Sequence, residues 1–255
     1  MKNTPLSKLL QSQEYKKSKT TLPIILGTDI NDKPFIQDLH KMPHLLIGGG
    51  ARTGKTMFLK SVIHTIRNIY STEDCGIAVL NPKGIDFENY SHLATIVDDA
   101  DECMQSLQNT VEEMENRYIL FANNGVKNII EYNQQHHGNE LPFRIILIDE
   151  LSMMISFFGK KVEKNIINLA EKSRATGIHL IIASYNFDKI SNLLKAYLPV
   201  RLAFWVAYKR EAIKILGEPG AEKLTTHNEA LFSDAGRIPV LINTPYIEEQ
   251  NRRFI

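Results

Sequence analysis

Short apolar runs alternate along the chain with longer stretches whose apolar residues recur every three or four positions. Residues 1–21 are polar and rich in Lys, Ser and Thr, the pattern of a loose arm with one short helix around residues 6–10. Residues 22–27 and 34–39 flank a turn-rich segment at 29–33, which predicts a hairpin. Residues 44–47 form a short apolar strand that runs into three glycines. Residues 55–70 after it carry Phe58, Leu59, Val62, Ile63, Ile66 and Ile69 at helical spacing. A strand at 76–80 stops at Asn81-Pro82, and a shorter one follows at 96–97. Residues 101–123 predict a long amphipathic helix with Met104, Leu107, Val111, Met114 and Tyr118 on one face, and 126–135 a second helix. Residues 143–148 are almost wholly apolar, as in a strand buried on both faces. A helix at 161–174 and strands at 177–184 and 201–207 continue the alternation. Residues 238–242 predict a last strand, placed at a sheet edge by Pro239. Alternation of this kind implies an α/β fold, a mostly parallel sheet with helices on both faces.

Composition narrows this picture. With 255 residues and 43% apolar content, the chain has room for one large domain and the means to build its core. Lys plus Arg number 30 against 29 for Asp plus Glu, a formal charge of +1, so nucleic-acid binding by overall charge is excluded. Any contact with DNA would use a local patch, or small patches summed around an oligomer. Cys75 and Cys103 show no CxxC spacing, which points away from disulfides and zinc and towards a reducing, cytoplasmic setting. Residues 1–15 carry no apolar signal segment, and runs such as 145–148 are too short to span a bilayer. A membrane anchor, if the assembly has one, is expected in a partner or in another segment.

Chemistry enters at Gly49-Gly50-Ala51-Arg52-Thr53-Gly54-Lys55-Thr56, which fits GxxxxGK[ST]. Glycines let backbone amides turn inward around phosphate oxygens, and the helix that follows aims its positive end at them. Four fixed positions recur by chance in roughly one chain in a hundred of this length. Placement between a strand and a helix makes the match rarer still. The expected nucleotide-binding set is Gly49 through Met57, with Lys55 reaching the β- and γ-phosphates and the Thr56 hydroxyl ligating Mg²⁺. ATP and Mg²⁺ are the expected cofactors.

The strand at 143–148 ends in Asp149-Glu150. In a phosphate-loop enzyme the first acid holds the metal and the second orients or deprotonates the attacking water. Two acids can also simply mark a strand emerging into solvent. The upstream loop, and the lack of a rival apolar–Asp–Glu strand, favour the catalytic assignment: Asp149 for the metal, Glu150 and Lys55 for catalysis.

Met42-Pro43-His44-Leu45-Leu46-Ile47 before the loop, and Asn81-Pro82-Lys83 after it, resemble the motor domain of FtsK/SpoIIIE-type DNA translocases. The same holds for Glu113-Met114-Glu115-Asn116-Arg117-Tyr118, Gly125-Val126-Lys127-Asn128 and Tyr132-Asn133. Gly159-Lys160-Lys161-Val162-Glu163, Lys172-Ser173-Arg174-Ala175-Thr176-Gly177-Ile178-His179-Leu180 and Gly220-Ala221-Glu222-Lys223-Leu224 are similar too. The resemblance implies a RecA-like P-loop NTPase domain over 22–255, working as a homo-oligomeric ring, a hexamer, around double-stranded DNA. It also implies that Arg174 acts on a neighbour's nucleotide; taken alone, an arginine at a helix end is a surface residue favoured by the helix dipole. His44 and His179 are expected as packed core residues. Lys160-Lys161 and Lys209-Arg210 are expected as solvated surface, with DNA contacts unassigned.

The departures concern coupling. Where the family carries a Thr-Gln-Arg-Pro segment with a nucleotide-sensing glutamine, this chain has Ser184-Tyr185-Asn186-Phe187. A Ser-Arg-Thr element is replaced by Ala212-Ile213-Lys214, and a glycine-rich turn by residues 226–231. The leading expectation is an ATP-driven DNA translocase acting in chromosome partition or mobile-element transfer. The alternatives are an FtsK-like secretion ATPase with protein cargo and a non-hydrolysing nucleotide-binding scaffold.

Overall fold

Along the central strands successive side chains point to opposite faces, and each face is covered. Ile145 and Leu147 enter one buried cluster while Ile146 and Ile148 enter another, and Ile181 and Leu180 divide in the same way. The computed structural model describes residues 4–42, 44–84 and 86–248, so Pro43 of the sequence motif lies outside the described residues. In chain order the elements are α1 (Leu6–Leu10), α2 (Gln13–Lys16), β1 (Pro23–Thr28), β2 (Pro34–Asp38), β3 (Leu45–Gly48) and α3 (Lys55–Arg67). Next come β4 (Cys75–Leu80), β5 (Thr95–Val97), α4 (Ala100–Asn123), α5 (Ile129–Gln135), β6 (Phe143–Asp149), α6 (Leu151–Phe158) and α7 (Lys160–Lys172). The chain closes with β7 (Ile178–Ser184), α8 (Asn192–Tyr197), β8 (Arg201–Phe204), α9 (Lys209–Leu216), β9 (Glu229–Ser233) and β10 (Val240–Asn243).

All ten strands join one sheet in the order β2-β1-β10-β9-β8-β3-β7-β6-β4-β5. From β8 to β5 every pairing is parallel, and from β8 back to β2 every pairing is antiparallel. Helix α3 packs with β1 on one face; α4, α6, α7, α8 and α9 supply the other. The α/β fold with helices on both faces is as expected. Two details differ. β10 is not an edge strand: it lies between β1 and β9, because Pro239 falls just before the ladder begins and removes no donor from it. The opening segment carries two helices instead of one and is packed, with Leu6, Leu9 and Tyr15 buried against Ile25 and Ile247, and the Tyr15 hydroxyl donating to the Thr65 carbonyl at 2.9 Å. Its apolar residues are few but fall on one side, which a composition-based reading does not weigh.

At the amino end of the parallel strands, buried Arg117 on α4 ties the layers together. It donates to the Thr176 carbonyl (2.7 Å) and the Pro142 carbonyl (2.8 Å) and pairs with Glu113 at 2.6 Å, while Arg144 also reaches Glu113 at 3.1 Å. The carbonyls it satisfies lie in the lead-ins to β7 and β6. Removing the guanidinium would strand two carbonyls where water has little access. Arg117→Ala is therefore expected to lower stability by about 2–4 kcal/mol, with Arg117→Lys recovering only part of it, since one ammonium cannot span three acceptors. Urea denaturation checks this, and a loss below about 1 kcal/mol would contradict the bridging role.

Candidate active site

Lys55 to Met57 begin α3, and the loop before them leaves β3 at its carboxyl end. Two glycines there have no substitute. At Gly49 (φ +154°) a Cβ would lie 2.7 Å from the Phe204 Cβ, and at Gly54 (φ +113°) 2.6 Å from the His227 carbonyl oxygen. The loop is braced from outside: the Gly50 amide donates to the Trp205 carbonyl at 2.8 Å, and the Thr53 hydroxyl to the Gly50 carbonyl at 2.8 Å. β8 ends at Phe204, three residues earlier than expected, and the Trp205 carbonyl that follows it accepts from the loop. Ala51 and Arg52 form the exposed tip, with Arg52 in a left-handed conformation (φ +59°).

The Lys55 ammonium is nearly buried and donates to the carbonyls of Gly49 (2.9 Å) and Gly50 (2.6 Å) of its own loop. Burial pushes its pKa down to about 8, against the pull of the Glu150 and Asp149 carboxylates and with help from the Lys83 charge. Thr56 donates its hydroxyl to Asp149 Oδ2 at 3.0 Å, linking the first turn of α3 to the end of β6. Lys83, just past the end of β4, lies 3.5 Å from the same oxygen. Asp149 is fully buried and its other oxygen, Oδ1, has no hydrogen-bond partner. A buried carboxylate oxygen without a donor, beside a threonine hydroxyl, is a donor set suited to Mg²⁺. Among the described residues no three His, Cys, Asp or Glu side chains converge on a metal position, so Asp149 and Thr56 would share the ion with phosphate oxygens and water.

Glu150 is also buried and has a left-handed backbone (φ +92°), strain of about 1–3 kcal/mol that its neighbours must hold in place. Its carboxylate accepts from the Ser184 hydroxyl (2.8 Å), the Ser152 hydroxyl (2.6 Å) and the Tyr185 amide (3.1 Å). The segment from 184 to 187, expected to have lost its polar sensor, thus keeps a polar grip on the carboxylate through Ser184 and a backbone amide. The Tyr185 ring is half-exposed and lines a cleft with Gly50, Phe187 and Val206.

The structure brings together Gly49, Gly50, Gly54, Lys55, Thr56, Asp149 and Glu150. Arg174 stands apart. It precedes β7, donates to the His40 carbonyl at 3.0 Å and is exposed. The length of β7 separates it from the level of the phosphate loop, about 20 Å at the rise of a strand. Sequence reasoning did not assign Lys83, Ser152 or Ser184 to the site. Lys83 and Ser184 had a signal, since each sits at the carboxyl end of a parallel strand, the edge where such sheets bind ligands.

A lysine partly neutral above pH 8 must be recharged when it meets a triphosphate. ATP binding near pH 9 is therefore expected to take up protons. Calorimetry in two buffers of different ionisation enthalpy checks this: the wild type should show a buffer-dependent heat in the direction of uptake, and Lys55→Ala should lose it. Equal buffer dependence in both proteins would place the proton elsewhere.

A profile of the FtsK/SpoIIIE family matches residues 5–189. The chain is 37% identical to the DNA translocase FtsK of Campylobacter jejuni subsp. jejuni serotype O:23/36 (strain 81-176), over 96% of this chain and 27% of that protein. It is 34% identical to the DNA translocase SftA of Bacillus subtilis (strain 168), over 91% of this chain and 25% of that protein. The chain thus spans about a quarter of the length of these relatives. In structure it is similar to the pCW3 conjugation coupling protein TcpA, in its monomer form with ATPγS (TM-score 0.84, 24% identity, 98% of this chain and 71% of that one). It is also similar to the cytoplasmic domain of the Thermomonospora curvata Type VII secretion ATPase EccC (TM-score 0.82, 19% identity, 98% and 32%). These two establish the fold, that of P-loop ATPases; the profile, covering well over half of the sequence, establishes the family: the chain belongs to the FtsK/SpoIIIE family.

Proposed function

We propose that this chain is an ATP-hydrolysing motor that moves double-stranded DNA, working as a ring of identical copies. The observation that carries the ATPase part is the junction of Thr56, Lys55 and the half-satisfied Asp149, closed around a loop whose Gly49 and Gly54 admit no side chain. On binding ATP, the Lys55 ammonium leaves the Gly49 and Gly50 carbonyls for the β- and γ-phosphate oxygens, and the amides at the start of α3 face the same charge. Asp149 and Thr56 would hold Mg²⁺, which would supply charge neutralisation at the phosphate oxygens. Glu150 orients the attacking water and draws off its proton. A scaffold that never hydrolysed would need no buried, strained glutamate beside the phosphate loop. DNA as the cargo is supported by the relatives named DNA translocases, and no protein cargo has comparable support at this level of identity.

Arg174 cannot reach its own chain's phosphate loop, so a role in catalysis requires a neighbour. In a head-to-tail ring it would be presented to the next copy's nucleotide, which fits the trans-acting role of an arginine finger. Among the described residues no helix is long and apolar enough to cross a membrane. We place the motor on the cytoplasmic side, joined to any anchor through other segments or partners.

Steady-state ATPase with Mg²⁺ at low salt should rise with protein concentration and with long duplex DNA. Low salt matters because phosphate-backbone contacts weaken steeply as salt rises. Glu150→Gln should cost about 10²- to 10⁴-fold in turnover with ATP binding kept, and hydrolysis indifferent to duplex DNA would remove the translocase assignment. Lys55→Ala and Arg174→Ala should each be inactive alone. Their equal mixture should regain activity at about a quarter of the interfaces, the share pairing an intact Lys55 with a neighbour's intact Arg174. A mixture as silent as its parts would show that Arg174 does not act across subunits.

A further inference from the structure

Donors to the Glu150 carboxylate crowd on one of its two oxygens. Oε1 accepts from the Ser152 hydroxyl at 2.6 Å, the Ser184 hydroxyl at 2.8 Å, and more distantly from the Ser152 and Tyr185 amides, both at 3.3 Å. Oε2 accepts from the Tyr185 amide at 3.1 Å. An ionised carboxylate offers about four lone-pair directions, so these contacts leave Oε1 without room for a water. A group that is to take a proton from water needs an oxygen within hydrogen-bond reach of it. Oε1 as it stands is held back from the chemistry assigned to Glu150, while Oε2 carries the Tyr185 amide alone.

Capping explains part of this arrangement. As the residue before α6, Glu150 accepts from the Ser152 amide, which is an ordinary helix-capping contact. Ser184 contributes nothing to that cap. It arrives from β7, thirty-four residues along the chain, and in the sheet it stands between two functional ends. On one side it is paired with Gly48, from which the phosphate loop departs. On the other, Ala183 is paired with Asp149, and the Glu150 amide donates to the Ala183 carbonyl at 3.1 Å. Backbone positions here are fixed by the ladder, so the Ser184 hydroxyl can release the carboxylate by rotating about one bond, with no strand displaced.

We propose that Ser184 is a positioning residue for Glu150: its hydroxyl parks the carboxylate against the end of β7 in the nucleotide-free chain, and turnover requires that hydrogen bond to be given up. Parking keeps Oε1 from water until phosphate has reached the loop beside Gly48, and so restrains hydrolysis in an unengaged subunit. This rests on the ATPase function proposed above and adds a brake to it.

The test compares wild type, Ser184→Ala, Ser184→Thr and the double variant Ser184→Ala/Glu150→Gln in steady-state hydrolysis with Mg²⁺ and no DNA. A hydrogen bond to a charged group is worth about tenfold or more, and the other donors remain, so Ser184→Ala should raise basal kcat by roughly three- to tenfold. KM should stay within about twofold of wild type, because the phosphate contacts are untouched. Ser184→Thr, which keeps the hydroxyl, should reverse most of the gain, and the double variant should lose it. A purely structural serine would instead give a lower or unchanged kcat in Ser184→Ala, and that result overturns the proposal, as would a gain that survives in the double variant. If thermal melting shows that Ser184→Ala does not fold, Ser152→Ala removes the other hydroxyl on the same oxygen and must show the same rise in kcat. Lys55-dependent hydrolysis by the wild type with no faster variant would sink the brake alone. Silence of both wild type and Ser184→Ala, with ATP bound, would sink the ATPase function and the brake with it.

Discussion

The hydrogen-bond register of β3, β7 and β6 pairs Gly48 with Ser184 and Ala183 with Asp149, so that three parallel strands end at one level. β3 delivers the phosphate loop, β6 the two carboxylates, and β7 the hydroxyl that lies between them. A slip of one residue would turn each of these side chains to the opposite face and exchange Leu45 and Ile47 with Leu46 between two separate cores. The site is therefore as rigid as the core beneath it.

Burying an ammonium and two carboxylates together carries an electrostatic cost, and the surrounding contacts show how it is met. Lys55 gives up part of its basicity to burial yet keeps two carbonyl acceptors. Asp149 takes Thr56 and Lys83 on one oxygen and leaves the other open. Glu150 is satisfied by serine hydroxyls and an amide. The first acid thus keeps one oxygen open, while on the second Oε1 is filled by hydroxyls and amides.

The far end of the same strands is built differently. His40, His44 and His179 cluster with Phe143, with ring centroids 5.6 Å apart for His40 and His179 and 6.4 Å for His44 and His179. Burial pushes His44 down to about 4 and His179 well below its ordinary value, so these rings pack as neutral core groups. His44 accepts from the Leu180 amide through Nδ1 at 2.9 Å, and the His40 carbonyl receives Arg174. β7 thus begins just after Arg174 and ends at Ser184, whose hydroxyl donates to the Glu150 carboxylate.

The sequence by itself determined the phosphate loop, the acid pair and the parallel alternation, because each is written in contiguous residues whose chemistry is local: glycines that must bend, a lysine and threonine at fixed spacing, an apolar run that must be buried. It misplaced β10 because a proline beside a strand carries no mark of which side of the ladder's start it occupies. It took residues 1–21 for a loose arm because a handful of buried side chains on one face does not change a polar composition. Tertiary structure alone decided that Lys83 meets Asp149, that Arg174 lies a strand's length from its own chain's loop, and that Ser184 holds Glu150. Those contacts join residues far apart in the chain, and only the order and register of the strands bring them within hydrogen-bond distance.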